Sequence, residues 1–174
     1  MTAPLRLDGS FEADYDIVQL VDTPSALGYN FHQPGAVPRP DLLLEVTRPD
    51  GSSWTGGLRA GGLSVGSPHT GIHATPAGDR VLVVARGDAY LIDVGRPATY
   101  ETVAAGGPVV AVKPVARENI LLLATPWTVT GIGGDGVLCP RPGAWRSTGS
   151  GSMSPGTAWW QGWRIRTTWN PGTS

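Results

Sequence analysis

Glycine and proline interrupt this chain so often that long helices are excluded. The 25 glycines and 16 prolines are spread through all 174 residues, and no ten residues free of both carry an apolar stripe of helical period. The nearest stretch, Val115–Thr125, is too continuous in Leu and Ile to be an amphipathic surface helix. What stands between the interruptions are Val-, Leu- and Ile-rich runs of strand length, so a packed core is expected rather than disorder. With 40% hydrophobic residues the chain can bury one core of ordinary size. The expectation is an all-β fold, mainly antiparallel, arranged as a sandwich or an irregular barrel.

The strand candidates come with turn chemistry between them. Asp16–Asp22 ends at Thr23-Pro24-Ser25. Leu42–Arg48 and Ser53–Arg59 flank Pro49-Asp50-Gly51-Ser52, where proline presets one turn torsion and glycine takes the positive φ that follows. Arg80–Arg86 and Ala89–Val94 form a second hairpin around Gly87-Asp88, and Pro108–Lys113, Asn119–Ala124 and Trp127–Ile132 extend the meander. Val81-Leu82-Val83-Val84 and Ile120-Leu121-Leu122-Leu123 are apolar on consecutive positions, the pattern of strands buried on both faces. Either sheets stack on them or another chain covers them. The expected core is Ile17, Val18, Leu20, Leu42, Leu44, Val81, Val83, Leu91, Ile120, Leu122 and Val129.

Sliding the sequence by 39 positions aligns Arg80–Ala85 with Asn119–Ala124 and Gly95 with Gly134. A spacing near 40 is that of a propeller blade, so a propeller-like repeat is the alternative architecture. The last 39 residues differ from the rest. All 14 acidic residues lie at or before Asp135, whereas the tail holds Arg141, Arg146, Arg164, Arg166 and five of the seven Trp. We therefore divide the chain into a core domain, 1–135, and a Gly-, Trp- and Arg-rich segment, 136–174. A one-base shift of a GC-rich reading frame yields such an acid-free, Trp-rich ending, so the nativeness of that segment is open to doubt.

Several motifs bear on function. Gly131-Ile132-Gly133-Gly134-Asp135-Gly136 has dinucleotide-loop spacing, but a β-like segment with two prolines follows it where a helix is needed, so it reads as a hairpin turn. Gly62-Leu63-Ser64-Val65-Gly66 matches a nucleophile elbow without its helix; with His69 or His73, Ser64 is the weak candidate for a hydrolase. His69 and His73 share one face of an extended segment, and with His32 they are the chain's three histidines, a minimal metal set. Trp160, Trp163, Arg164 and Arg166 are candidates for stacking on sugars or bases, against the plainer reading of an amphipathic strand.

The single cysteine, Cys139, excludes an internal disulfide and a cysteine-based zinc site. A net charge of −1 gives no reason to expect nucleic acid. The absence of an apolar run of spanning length argues against a membrane span, and the start of the sequence has no signal-peptide pattern, so a cytoplasmic protein is expected. No convergent acid, base and nucleophile stands out, and no cofactor is expected. The sequence favours a non-enzymatic intracellular binding or protein-interaction module whose ligand it does not identify, with a protein partner or homo-oligomer as the partner class. The alternatives are a small hydrolase built on Ser64, a histidine-bound metal site, and a structural subunit dependent on a partner chain.

Overall fold

The computed structural model describes residues 5–32, 39–61 and 69–138, together with the backbone of 157–160 and 163–166. Two units are present, Met1–Cys139 and Pro140–Ser174. The first contains three sheets and no α-helix among the described residues.

The N-terminal sheet runs β2 (Asp16–Gln19), β4 (Leu42–Thr47), β5 (Ser53–Arg59) and β3 (Tyr29–His32) in spatial order. The central sheet runs β1 (Leu7–Asp8), β6 (Gly71–Ala74), β7 (Arg80–Ala85), β8 (Asp88–Asp93) and β9 (Glu101–Thr102). The third is a meander of β10 (Ala111–Val115), β11 (Ile120–Ala124), β12 (Val129–Gly133) and β13 (Gly136–Leu138), with a 3-10 turn at Ala116–Glu118. Pairing is antiparallel throughout these sheets except for β1 on β6 and β3 on β5. No sheet closes into a barrel, which removes that alternative and leaves the layered all-β sandwich.

The layers follow from side-chain alternation. Leu42, Leu44, Val46, Trp54 and Leu58 of the N-terminal sheet share one core with Val81, Val83, Tyr90 and Ile92 of the central sheet. From the opposite face of the same central strands, Leu82, Val84, Ala89 and Leu91 share a second core with Leu121, Leu123 and Ile132 of the third sheet. The consecutive apolar run of β7 is thus explained: Val81, Leu82, Val83, Val84 and Ala85 are all fully buried, on alternating sides.

Hairpins recur along the chain, but the 39-residue alignment is not a structural repeat, since Leu82 and Leu121, which it pairs, face each other from different sheets. β7 and β11 are the strands that align in sequence, and each is followed by a hairpin partner, β8 or β12. Side-chain direction matches at a spacing of one residue more. Leu42 and Leu44 point at the next sheet, as do Leu82 and Val84; the equivalent positions in β11 are Leu122 and Ala124.

Gly51 has φ 80° after Pro49-Asp50, as expected, whereas the β7–β8 turn is Arg86-Gly87, at φ 47° and 93°, one residue before the expected Gly87-Asp88, because Asp88 already pairs with Ala85. The glycine-rich 131–136 segment is the β12–β13 hairpin. Two expected core residues are exposed instead. Val18 (57% accessible) lies on the outer face of the N-terminal sheet, and Val129 (47%) on the outer face of the third. Leu20, Ile120 and Leu122 are half-buried for the same reason, that an outermost sheet has only one covered face. In the second unit β14 (Thr157–Trp160) pairs antiparallel with β15 (Trp163–Arg166).

Leu82→Ala is expected to lower the unfolding free energy by about 2–5 kcal/mol, because the cavity opens in a layer with no route to collapse. Val18→Ala should change it by less than about 0.5 kcal/mol. Denaturant titration of both variants checks the assignment of inner and outer faces.

Candidate functional site

Residue 69 begins the segment that leads into β6, and two histidines on that segment meet. The His69 and His73 rings lie with centroids 5.7 Å apart and planes 18° from parallel. His73 is held by β6, whose pairing with β7 sets it opposite Leu82. On its other edge β6 takes the short parallel strand β1, which brings Asp8 opposite His73. Asp8 Oδ2 stands 3.6 Å from His73 Nδ1, an ion-pair distance longer than a hydrogen bond. Its other oxygen, Oδ1, accepts the Ser10 amide at 3.2 Å and the Ser10 hydroxyl.

The imidazoles are otherwise unpartnered. His69 Nε2 and both ring nitrogens of His73 are buried without a hydrogen bond, and the His73 side chain is 10% exposed. Gly71 lies between the two histidines in the chain. A Cβ there would come 2.6 Å from His73 Nε2 and 3.4 Å from His69 Nε2. Both nitrogens therefore lie close over that glycine, in room that any side chain there would contest.

The electrostatics keep this pair neutral. Burial pushes His69 below the ordinary histidine value, and burial with the neighbouring His69 does the same to His73, against a smaller opposing pull from Asp8. The Asp8 carboxyl is held below its usual range, chiefly by the Ser10 hydroxyl.

His32, the third histidine, is exposed on β3 of the N-terminal sheet, where its carbonyl accepts the Tyr100 hydroxyl. Among the described residues no three His, Cys, Asp or Glu side chains group as metal ligands. Ser64 lies outside the described residues, as do the side chains of Trp160, Trp163, Arg164 and Arg166. The β14–β15 register places Trp160 opposite Trp163 and Trp159 opposite Arg164.

Two other features are chemically quieter. An open polar pocket is lined by Arg80, Leu91, Asp93, Arg96, Thr99 and Glu101, but Arg96 spends its guanidinium on Asp93 at 3.0 Å. The outer face of the third sheet, by contrast, is almost wholly apolar. Register puts Ala111, Val115, Ile120, Leu122, Ala124, Val129 and Leu138 on that side, with Lys113 its one charged side chain among the strands. The outer face of the N-terminal sheet is mixed, carrying Asp16, Asn30, His32, Glu45, Thr47, Thr55 and Arg59 together with Val18 and Leu43.

The chain matches no protein-family model, no curated protein and no solved structure against which it was compared. The site is therefore read from its own chemistry. Sequence reasoning paired His69 with His73 by their even spacing; it missed Asp8 and Gly71. No local signal marks Asp8, since a parallel pairing with a distant strand puts it there.

Between pH 7.5 and 5.5, in chelator, the melting temperature is expected to fall with pH. The folded chain holds these imidazoles below their unfolded value of ~6.5, so the unfolded state binds more protons as pH drops through that value. The stability contribution is complete above the unfolded value and is lost toward the depressed folded ones. His73→Gln should flatten the slope; an unchanged slope would show that the pair does not set it.

Proposed function

We propose that this protein is a non-enzymatic interaction module whose contact surface is the outer face of the third sheet. The observation that carries this reading is the contrast between the two outermost faces. The N-terminal sheet ends the stack with mostly charged and polar side chains, Val18 and Leu43 being its apolar ones, in the manner of a capping layer of a repeat protein. At the other end, Leu122 and Ala124 occupy the positions that in the two preceding layers are Leu42 and Leu44, then Leu82 and Val84. Those equivalents are buried by an adjoining sheet, and the surface is continuous in kind with the two junctions already formed.

The occupant we infer is a second copy of this chain, stacked through the same face. What such a surface fits is another antiparallel sheet with apolar residues at alternate positions, and the third sheet itself is one. An interface of this kind is isologous, each copy presenting the same patch. With strands ~4.8 Å apart and ~3.3 Å per residue, the face measures roughly 19 by 16 Å. That is roughly 300 Å² per copy, below the ~1,000 Å² in total that a stable interface buries, so the pairing is expected to be weak, reversible and concentration-dependent.

Light scattering coupled to size-exclusion chromatography of the full chain, from low to high micromolar concentration, is expected to show a monomer–dimer equilibrium. Leu122→Lys should shift it to monomer, and Val129→Lys, at a more exposed position on the same face, should weaken it at least tenfold with unaltered circular dichroism. A wild-type chain that stays monomeric throughout, or a dimer indifferent to both changes, overturns the reading.

A further inference from the structure

We propose that the Nε2 atoms of His69 and His73 form a binding site for a divalent transition-metal cation such as Zn2+, Ni2+ or Cu2+, seated over Gly71. Three observations carry it. The first is the orphaned nitrogens: burying a polar atom without a partner is costly, and His69 Nε2 and His73 Nε2 are both buried without one and lie close together over Gly71. The second is Gly71, whose missing side chain lets both imidazoles lean over it: a Cβ there would stand 2.6 Å from His73 Nε2 and 3.4 Å from His69 Nε2. The third is Asp8, whose Oδ2 faces His73 Nδ1 while Oδ1 is engaged by Ser10.

A carboxylate behind the far nitrogen of a ligating imidazole keeps the proton on Nδ1 and turns the Nε2 lone pair outward, as in carboxylate–histidine–metal arrangements. Asp8 is thus a positioning residue, and the ligands are the two histidines. The donor set selects the ion. Two neutral imidazole nitrogens suit Zn2+, Ni2+ and Cu2+, whereas Mg2+ and Ca2+ prefer oxygen. Two protein ligands are fewer than the four of a structural zinc site, so weaker binding than at such a site is expected.

The test is titration of the tag-free full chain with ZnCl2 by calorimetry, and with CuCl2 by electron paramagnetic resonance. The expected result is one ion per chain, with nitrogen hyperfine structure from two imidazoles on Cu2+. His69→Ala and His73→Ala should each weaken binding at least tenfold. Asp8→Asn should weaken it by roughly 10–100-fold, the usual effect of losing such a partner. Gly71→Ala is the sharpest variant, since both histidines remain while the new Cβ would collide with His73 Nε2 and push the imidazole aside; it should abolish the site. His32→Ala should change nothing. Circular dichroism establishes that each variant is folded, and Gly71→Ala and His32→Ala give independent arms if a histidine change unfolds the chain. No saturable Zn2+ or Cu2+ binding by the wild type overturns the proposal, as does binding that survives Gly71→Ala and both histidine changes.

Discussion

The central sheet has no solvent-facing side, and every other layer is arranged around that fact. All five residues from Val81 to Ala85 are fully buried, so β7 is stable as a strand only with apolar surface supplied from both directions. The N-terminal sheet supplies one side and the third sheet the other. Burial of this kind is non-directional and does not by itself fix how two sheets align. Alignment comes from a few polar contacts between layers. The indole of Trp54 donates to the Val94 carbonyl at 3.1 Å, Arg48 Nε donates to the same oxygen at 2.9 Å, and the buried Tyr15 hydroxyl donates to the Arg80 carbonyl at 2.9 Å. Burial pushes the Tyr15 phenol well above its ordinary value, so it stays a donor across the physiological range.

Much of this fold was legible in the residues because its central hairpins are local. The runs at Leu42–Thr47, Ser53–Arg59 and Arg80–Ala85 are bounded by turns whose glycines take the positive φ the sequence implies. β1, β3 and β6 were not legible. β1 has two residues, β3 alternates weakly, and the pairings of β1 on β6 and β3 on β5 are parallel joins between segments distant in sequence. Nothing in a local window encodes such a join. The misplacement of Val18 and Val129 has a related cause: an apolar residue in a strand declares burial, but which face is covered depends on the order of sheets.

The candidate site was legible in the same half measure. Even spacing on an extended segment put His69 and His73 side by side, and their rings do meet. Asp8 enters through a strand pairing, and Gly71 matters for what it lacks, which is a role that composition hides in a chain of many glycines. His32 shares their chemistry and little else, since its strand belongs to another sheet.

The parallel attachment of β1 also bears on the order in which the molecule assembles. Hairpins such as β7–β8 close over a loop of two residues, whereas Leu7 meets Ile72, and nearby Tyr15 reaches Arg80 across a separation of 65 residues. Closing so long a loop carries an entropic cost that only an existing surface can offset, so sequence-distant joins form late. The first described strand is then the final piece of the central sheet to be laid down. Asp8 arrives with it, which makes the charged partner of His73 a mark of completed folding rather than of early collapse.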